Sequence, residues 1–410
     1  MDAMEKYADL LIRVGLNLQK GQTLVLASPL ECAAFARLLQ VKAYQAGARE
    51  VVMRWIDEQT DCQRFLMADE AVFDEFPDWS RQFFNGYAEQ GAAFLSIAAE
   101  DPELLKDVDP KRISRQAKVR SAALGVYRGR LMSNKNVWCV ASLPVPAWAR
   151  KVFPELSESQ AMAALWQAIF KAVRVDQPDP VKAWQEHQLA LDKQVNYLNG
   201  RQFKALRYRN SLGTDLTVNL PDHHIWIGGG DKSPAGYMFV ANMPTEEVFT
   251  LPRADGVNGR VVSSLPLNYN GKLVERFWFE FKDGQVVDYS AARGKETLTE
   301  LLGTDPGARR LGEVALVPYD SPISNQRILF YNTLFDENAS CHFALGKAYP
   351  TCLAGGEDLS ADQLQAAGVN DSLIHIDFMV GTADLRIVGL AADGRETELF
   401  IGGNFNPGLF

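Results

Sequence analysis

Hydrophobic and polar positions follow two different periods in the two halves of this chain. Over residues 4–18 apolar side chains recur at helical spacing (Met4, Tyr7, Ala8, Leu11, Val14, Leu18), and Gly21 stands where a helix C-cap belongs. Residues 23–27 then form a short continuous apolar run that predicts a buried strand. Residues 31–46 predict a helix closed by Gly47, and residues 51–55 a second strand, which completes a βαβ unit. Further strand-like runs occupy 93–97 and 137–141, and a helical pattern covers 158–174. The first half is therefore expected to be an α/β domain with an open, Rossmann-like sheet, given the right-handed crossover rule. Ala27-Ser28-Pro29-Leu30 follows the first strand in place of the glycine-rich phosphate turn, which argues against a dinucleotide site.

The texture changes after Asp176-Gln177-Pro178-Asp179-Pro180, where a helical segment over 182–198 leads into short runs of Val, Leu, Ile and Phe. These runs are separated by Asn258-Gly259, Asn270-Gly271, Asp283-Gly284, Asp393-Gly394 and Gly402-Gly403, pairs suited to tight antiparallel hairpins. Two domains are expected: residues 1–178, α/β, and residues 179–410, a β-rich α+β domain that carries the catalysis. No internal repeat or low-complexity tract interrupts either.

Composition narrows the classes. A chain of 410 residues, 47% hydrophobic and 23% charged, has the length for more than one core and the composition to bury them. The N-terminal residues mix charge with amphipathic spacing and lack the basic and apolar regions of a signal peptide. No apolar stretch is long enough to span a bilayer, so no membrane partner is expected. Five scattered cysteines, Cys32, Cys62, Cys139, Cys341 and Cys352, fit reduced thiols in a cytoplasmic protein. A net charge of -9 disfavours nucleic acid, whose phosphates must be neutralised by basic side chains.

The chemistry is best sought among the five histidines. His187 lies in the polar linking helix and reads as solvated or supporting. His223 and His224 follow Pro221-Asp222 in a turn and read as structural or substrate-lining. His375 sits in Ser372-Leu373-Ile374-His375-Ile376-Asp377-Phe378-Met379-Val380, a strand pattern in which His375 and Asp377 share one face and Ile374, Ile376 and Phe378 the other. A core histidine bonded to an aspartate would look the same. Glu313 opens the apolar run 311–318, and a carboxylate there needs a cationic partner, either a metal or Arg309 or Arg310. His342 lies among small and apolar residues, and Glu246-Glu247 leads into another apolar run. Together, a carboxylate of the Glu246-Glu247 doublet, Glu313, His342, His375 and Asp377 make a mixed nitrogen and oxygen set suited to two divalent ions such as Zn, Co or Mn. The native ion is not legible, because supply and affinity order decide occupancy as much as ligand type.

Four segments, 245–250, 311–318, 332–342 and 375–379, resemble the aminopeptidase T / aminopeptidase S family of bacterial metalloaminopeptidases, in the same order and along essentially the whole chain. The resemblance implies a metal-dependent aminopeptidase that hydrolyses the N-terminal peptide bond of small peptides by a hydroxide held between two divalent ions. It implies Glu247, Glu313, His342, His375 and Asp377 as metal ligands with Glu313 bridging, and Glu313 and Tyr349 as catalytic residues. A homodimer enclosing a cavity that admits small peptides is also implied. Glu246 is left as a supporting residue.

Three other readings compete with this one. A non-catalytic α/β binding protein would have the same polar residues satisfying one another. A cysteine hydrolase using Cys341 fails because His342, its sequence neighbour, points away on an extended strand. Gly228-Gly229-Gly230-Asp231-Lys232-Ser233 lacks phosphate-loop spacing and reads as a turn near the substrate cleft.

Overall fold

The computed structural model describes residues 2–269 and 271–410. Met1 and Asn270, the latter one half of an expected hairpin turn, lie outside them. The chain divides into two compact units: Met1–Glu186 with Gly230–Pro244, and His187–Gly229 with Thr245–Phe410. Both the α/β first half and the β-rich second half are present.

In the first unit, β1 (Thr23–Pro29), β2 (Glu50–Ile56), β3 (Ala93–Ala98) and β4 (Trp138–Ser142) form a parallel sheet in the order β2-β1-β3-β4, and Asn242–Met243 extends it beside β4. Helices α1 (Ala3–Leu10), α2 (Ala33–Gln45), α3 (Glu58–Met67), α4 (Asp78–Glu89), α5 (Pro110–Ala123) and α6 (Gly125–Met132) occupy the intervals, followed by α7 (Pro146–Val152) and α8 (Glu158–Ala172). The first helix is shorter than its periodicity predicts. It widens into a π-turn over Leu11–Gly15, and Gly21, at φ 79°, donates instead to Gly47 O at 2.8 Å. The π-turn places Gly15 so close to β4 that a Cβ would lie 2.9 Å from Cys139 Sγ, so only glycine packs there.

The units divide inside α9 (Pro180–Arg201), just past the Pro-rich stretch. In the second unit an eight-stranded antiparallel sheet and a five-stranded antiparallel sheet share one core. Leu206, Tyr208, Val261 and Phe279 from the first sheet meet Val314, Phe343, Leu345 and Phe378 from the second. Asp283 and Gly284, at φ 48° and 77°, close the hairpin between Trp278–Lys282 and Gln285–Ser290 with the paired positive φ of a type I′ turn. Gly402 and Gly403 do the same between Glu396–Ile401 and Asn404–Phe405. Asp393-Gly394 lies in the turn before Glu396–Ile401. Asn258-Gly259 is different: it lies inside the strand Val257–Val262, where a Cβ on Gly259 would come within 2.3 Å of Asp215 O. Glycine serves close strand approach there and makes no turn.

Candidate metal centre

The five-stranded sheet contains β5 (Ile227–Gly228), β6 (Val248–Thr250), β7 (Leu311–Leu316), β8 (His342–Gly346) and β9 (His375–Met379), in the order β9-β8-β7-β6-β5. Its register explains why five distant residues meet. Glu313 of β7 stands opposite Ala344 of β8, which stands opposite Asp377 of β9. Cross-strand partners share a face, and so do residues two apart. His342 and His375 therefore join Glu313 and Asp377, and Glu247, immediately before β6, comes to the same face. The alternate positions Val248, Val314, Leu316, Phe343, Leu345 and Phe378 all enter the core. The polar face stays open because its remaining positions are small: Ala315, Ala344 and Gly346. A shift of register between Leu311 and Glu313 turns the start of β7, and a Cβ on Gly312 would come within 2.3 Å of Gly346 O.

The five side chains form two triads, Glu247–Glu313–His342 and Glu313–His375–Asp377, within each of which the ligand atoms lie no more than 4.8 Å apart. Glu313 belongs to both. Its Oε1 is 3.4 Å from His342 Nε2 and its Oε2 is 3.4 Å from His375 Nε2. His342 Nδ1 lies 3.0 Å from Ser340 O and His375 Nδ1 2.7 Å from Lys347 O. A carbonyl oxygen only accepts, so each Nδ1 carries a hydrogen and each Nε2 faces the carboxylates.

That arrangement needs positive charge. Glu247 Oε2 and Asp377 Oδ1 are buried without a hydrogen-bond partner, although His342 Nε2 and His375 Nε2 lie 3.1 and 3.5 Å from them without hydrogen-bond geometry. Orphaned carboxylate oxygens beside oriented imidazole nitrogens fit a divalent cation. Arg309 and Arg310 supply no alternative: the first donates to Val286 O, the second to Ala254 O and Asp283 O.

Without a cation the charge is met by protons. Burial disfavours the imidazolium form of His342, but the negative charge of the adjacent Glu247, Glu313 and Asp377 carboxylates outweighs it and lifts the ring well above its ordinary pKa. In His375, burial is likewise outweighed, here by Tyr349, Asp377 and Glu313. Burial raises the Glu313 carboxyl, yet its two histidine partners hold it down to about 2. Glu247 is raised, by burial first and then by Glu313 and Asp377.

Tyr349 stands at the rim, its ring 5.0 Å from that of His375 and 5.9 Å from that of Phe249. His375 draws the phenol down, while burial and the carboxylates of Glu313, Asp377 and Glu337 outweigh it, so the hydroxyl keeps its proton at neutral pH. Glu337 has no assigned role in the sequence reading. It is half-buried, and burial together with Asp377, Glu247 and Glu313 lifts its carboxyl far above the ordinary range. Its only sequence signal is the doublet Asp336-Glu337. Asp336 itself is a loop staple accepting from Phe330 N and Asn332 N.

The supporting residues sort clearly. His187 Nε2 contacts Thr245 O at 2.8 Å and lies 3.5 Å from Glu246 Oε2, while Asn338 Oδ1 accepts from Glu246 N at 2.8 Å, so both hold the loop that presents Glu247. His224 is buried with Nδ1 at 2.9 Å from Pro221 O and belongs to neither triad. Cys341 points into the core, where burial pushes its thiol up to about 12 and Val317 engages it through N and O. Gly228 lies in β5, where a Cβ would come within 2.6 Å of Glu247 O; the glycine run there is close packing beside a ligand.

Residues 1–405 match the thermophilic metalloprotease (M29) family. The chain belongs to that family. It is 52% identical to "Aminopeptidase 2" of Geobacillus stearothermophilus, covering 98% of this chain and 97% of that one. It is 45% identical to "Aminopeptidase AmpS" of Bacillus subtilis (strain 168), covering 98% of each. The structure of wild-type AmpT from Thermus thermophilus superposes with a TM-score of 0.92 at 40% identity, over 98% of both chains. This M29 chain is a metalloaminopeptidase: a metal-dependent hydrolase acting on peptides. Among its described residues no helix is long and apolar enough to cross a membrane.

Proposed function

We propose that the two triads hold two divalent ions, Zn, Co or Mn, with Glu313 bridging them, and that the site removes the N-terminal residue of small peptides. The observation that carries this reading is the division of Glu313's two oxygens between His342 and His375, each backed by a further carboxylate. Bound there, the pair of ions supplies Lewis-acid polarisation of the scissile carbonyl and a water of lowered pKa.

The protein's own groups do the rest. Glu247, Glu313, His342, His375 and Asp377 bind the ions, and the Ser340 and Lys347 carbonyls keep both imidazoles in the ligating tautomer. Tyr349, with its proton retained, donates a hydrogen bond to the oxygen that gains charge as the carbonyl is attacked. Carboxylate oxygens beside the ions accept hydrogen bonds from the free amine of an unblocked peptide, which fixes the register of cleavage one residue from the N-terminus. The family resemblance adds a cytoplasmic homodimer.

Hydrolysis of a dipeptide panel by metal-depleted protein, with each metal added back and N-acetylated peptides as controls, tests the reading. Activity should return with metal and vanish on acetylation. Cleavage of the blocked peptides would contradict the role given to the free amine.

A further inference from the structure

We propose that Phe249 and Ile227 form the wall against which the side chain of a substrate's N-terminal residue lies, and that they select for large apolar first residues. The inference rests on the reading of the site as one that removes the first residue of an unblocked peptide.

Phe249 belongs to β6 and follows the ligand Glu247 by two positions, so both side chains leave the same sheet face, roughly 6–7 Å apart along the chain. Val248 between them turns into the core. Across the sheet Phe249 stands opposite Ala315, and Ala315 opposite the ligand His342. Phe249 therefore shares a row with that imidazole, and the one position between them carries only a methyl group. On its other side Phe249 pairs with Ile227 of β5, which continues the same face away from the ligands.

The Phe249 ring also meets Tyr349, 5.9 Å between centres at 63°, and Tyr349 lies 5.0 Å from the ring of His375. Phe249 thus stands between Glu247 and Tyr349. Those two supply the kinds of group assigned to the two ends of the N-terminal residue: a carboxylate beside the ions for its amine, and the phenol hydroxyl for its carbonyl oxygen. The first side chain branches from the single carbon that joins amine to carbonyl, so it comes to lie beside the element that stands between them.

That element is apolar. Ile227, Phe249 and Tyr349 are half-buried members of a small hydrophobic cluster in which Leu251, Cys352 and Leu353 are buried. An aromatic ring and a branched aliphatic chain left partly open next to metal ligands offer contact area that a leucine-sized side chain covers and a methyl group does not.

The test compares kcat/KM of the metal-loaded full chain for leucylglycine against alanylglycine, with alanylleucine as the control for the second residue and N-acetylated leucylglycine for the free amine. Wild type should prefer leucylglycine to alanylglycine, and Phe249→Ala should shrink that preference about tenfold, the scale of a lost apolar pocket contact. Ile227→Ala, farther from the ligands, should shrink it less, and the ratio of alanylleucine to alanylglycine should hold in both variants. Calorimetry with free leucine and free alanine, which cannot be hydrolysed, should show the same narrowing. Circular dichroism and metal content check that each variant is folded and loaded, and Phe249→Leu, which keeps an apolar side chain, should move the ratio in the same direction if Phe249→Ala does not fold. An unchanged leucine-to-alanine ratio, a uniform loss on both dipeptides, or a change confined to the second residue would overturn the wall. Cleavage of the acetylated dipeptide would instead overturn the aminopeptidase reading beneath it.

Discussion

The parallel sheet of the first unit and the five-stranded sheet of the second treat their two faces differently. Strand β1 is buried on both sides, and its side chains are apolar or small. Strands β7, β8 and β9 give one face to the core and place Glu313, His342, His375 and Asp377 on the other. A sheet covered by helices gains stability from both faces, whereas a sheet that holds a metal centre surrenders one face to groups that are expensive to bury. The second sheet therefore depends on its ligand in a way the first does not.

Metal removal is the sharpest way to break that comparison. Chelation should abolish peptide hydrolysis and lower the Tm of the second unit while leaving the first unit's unfolding little changed, which calorimetry of apo and reloaded protein would resolve. Next in size, Glu313→Gln should lower kcat by about 10³-fold or more and reduce metal content, because one substitution damages both triads. Retained activity in that variant would remove the bridging role. Tyr349→Phe should cost kcat about 10²-fold, the scale of a lost oxyanion donor, with metal content unchanged. A loss of metal in that variant would make Tyr349 structural.

Strand β8 allows the comparison within five residues. Phe343→Ala should destabilise the protein by about 3–5 kcal/mol through a core cavity, while its neighbour His342→Ala should remove activity and metal at a smaller cost in apo stability. The smallest effect is a pH dependence. In the metal-free protein both histidines have pKa values raised above the unfolded value of about 6.5; the stability they contribute is full below that pH and is lost as pH rises through the folded values. The Tm of apo protein should fall from pH 6.5 upward, and metal, which displaces those protons, should bind more tightly over the same range and flatten the curve.

How much of this was legible follows from the physics of each element. The α/β order and the type I′ turn at Asp283-Gly284 were readable because their signals are local: a continuous apolar run, a pair that tolerates positive φ. The π-turn at Leu11–Gly15 was not, since it answers the close approach of Cys139, remote in sequence. Asn258-Gly259 misled for the same reason, its glycine being set by Asp215 O across the sheet. The shared face of His375 and Asp377 was visible in strand alternation. The meeting of Glu247, Glu313 and His342 depends on register between strands far apart in sequence, and it entered through family resemblance. Glu337 stayed hidden because a half-buried glutamate in a doublet looks like any solvated turn until its three carboxylate neighbours are in view.

Metal stoichiometry of the wild-type chain and of Glu313→Gln, after chelation, add-back and exhaustive dialysis, tests the central claim most directly. Two triads sharing one glutamate predict two tightly bound ions per wild-type chain and a loss of both, or a sharp weakening of both, in the variant. A wild-type chain that is fully active with a single ion, or a variant that keeps two, would contradict it.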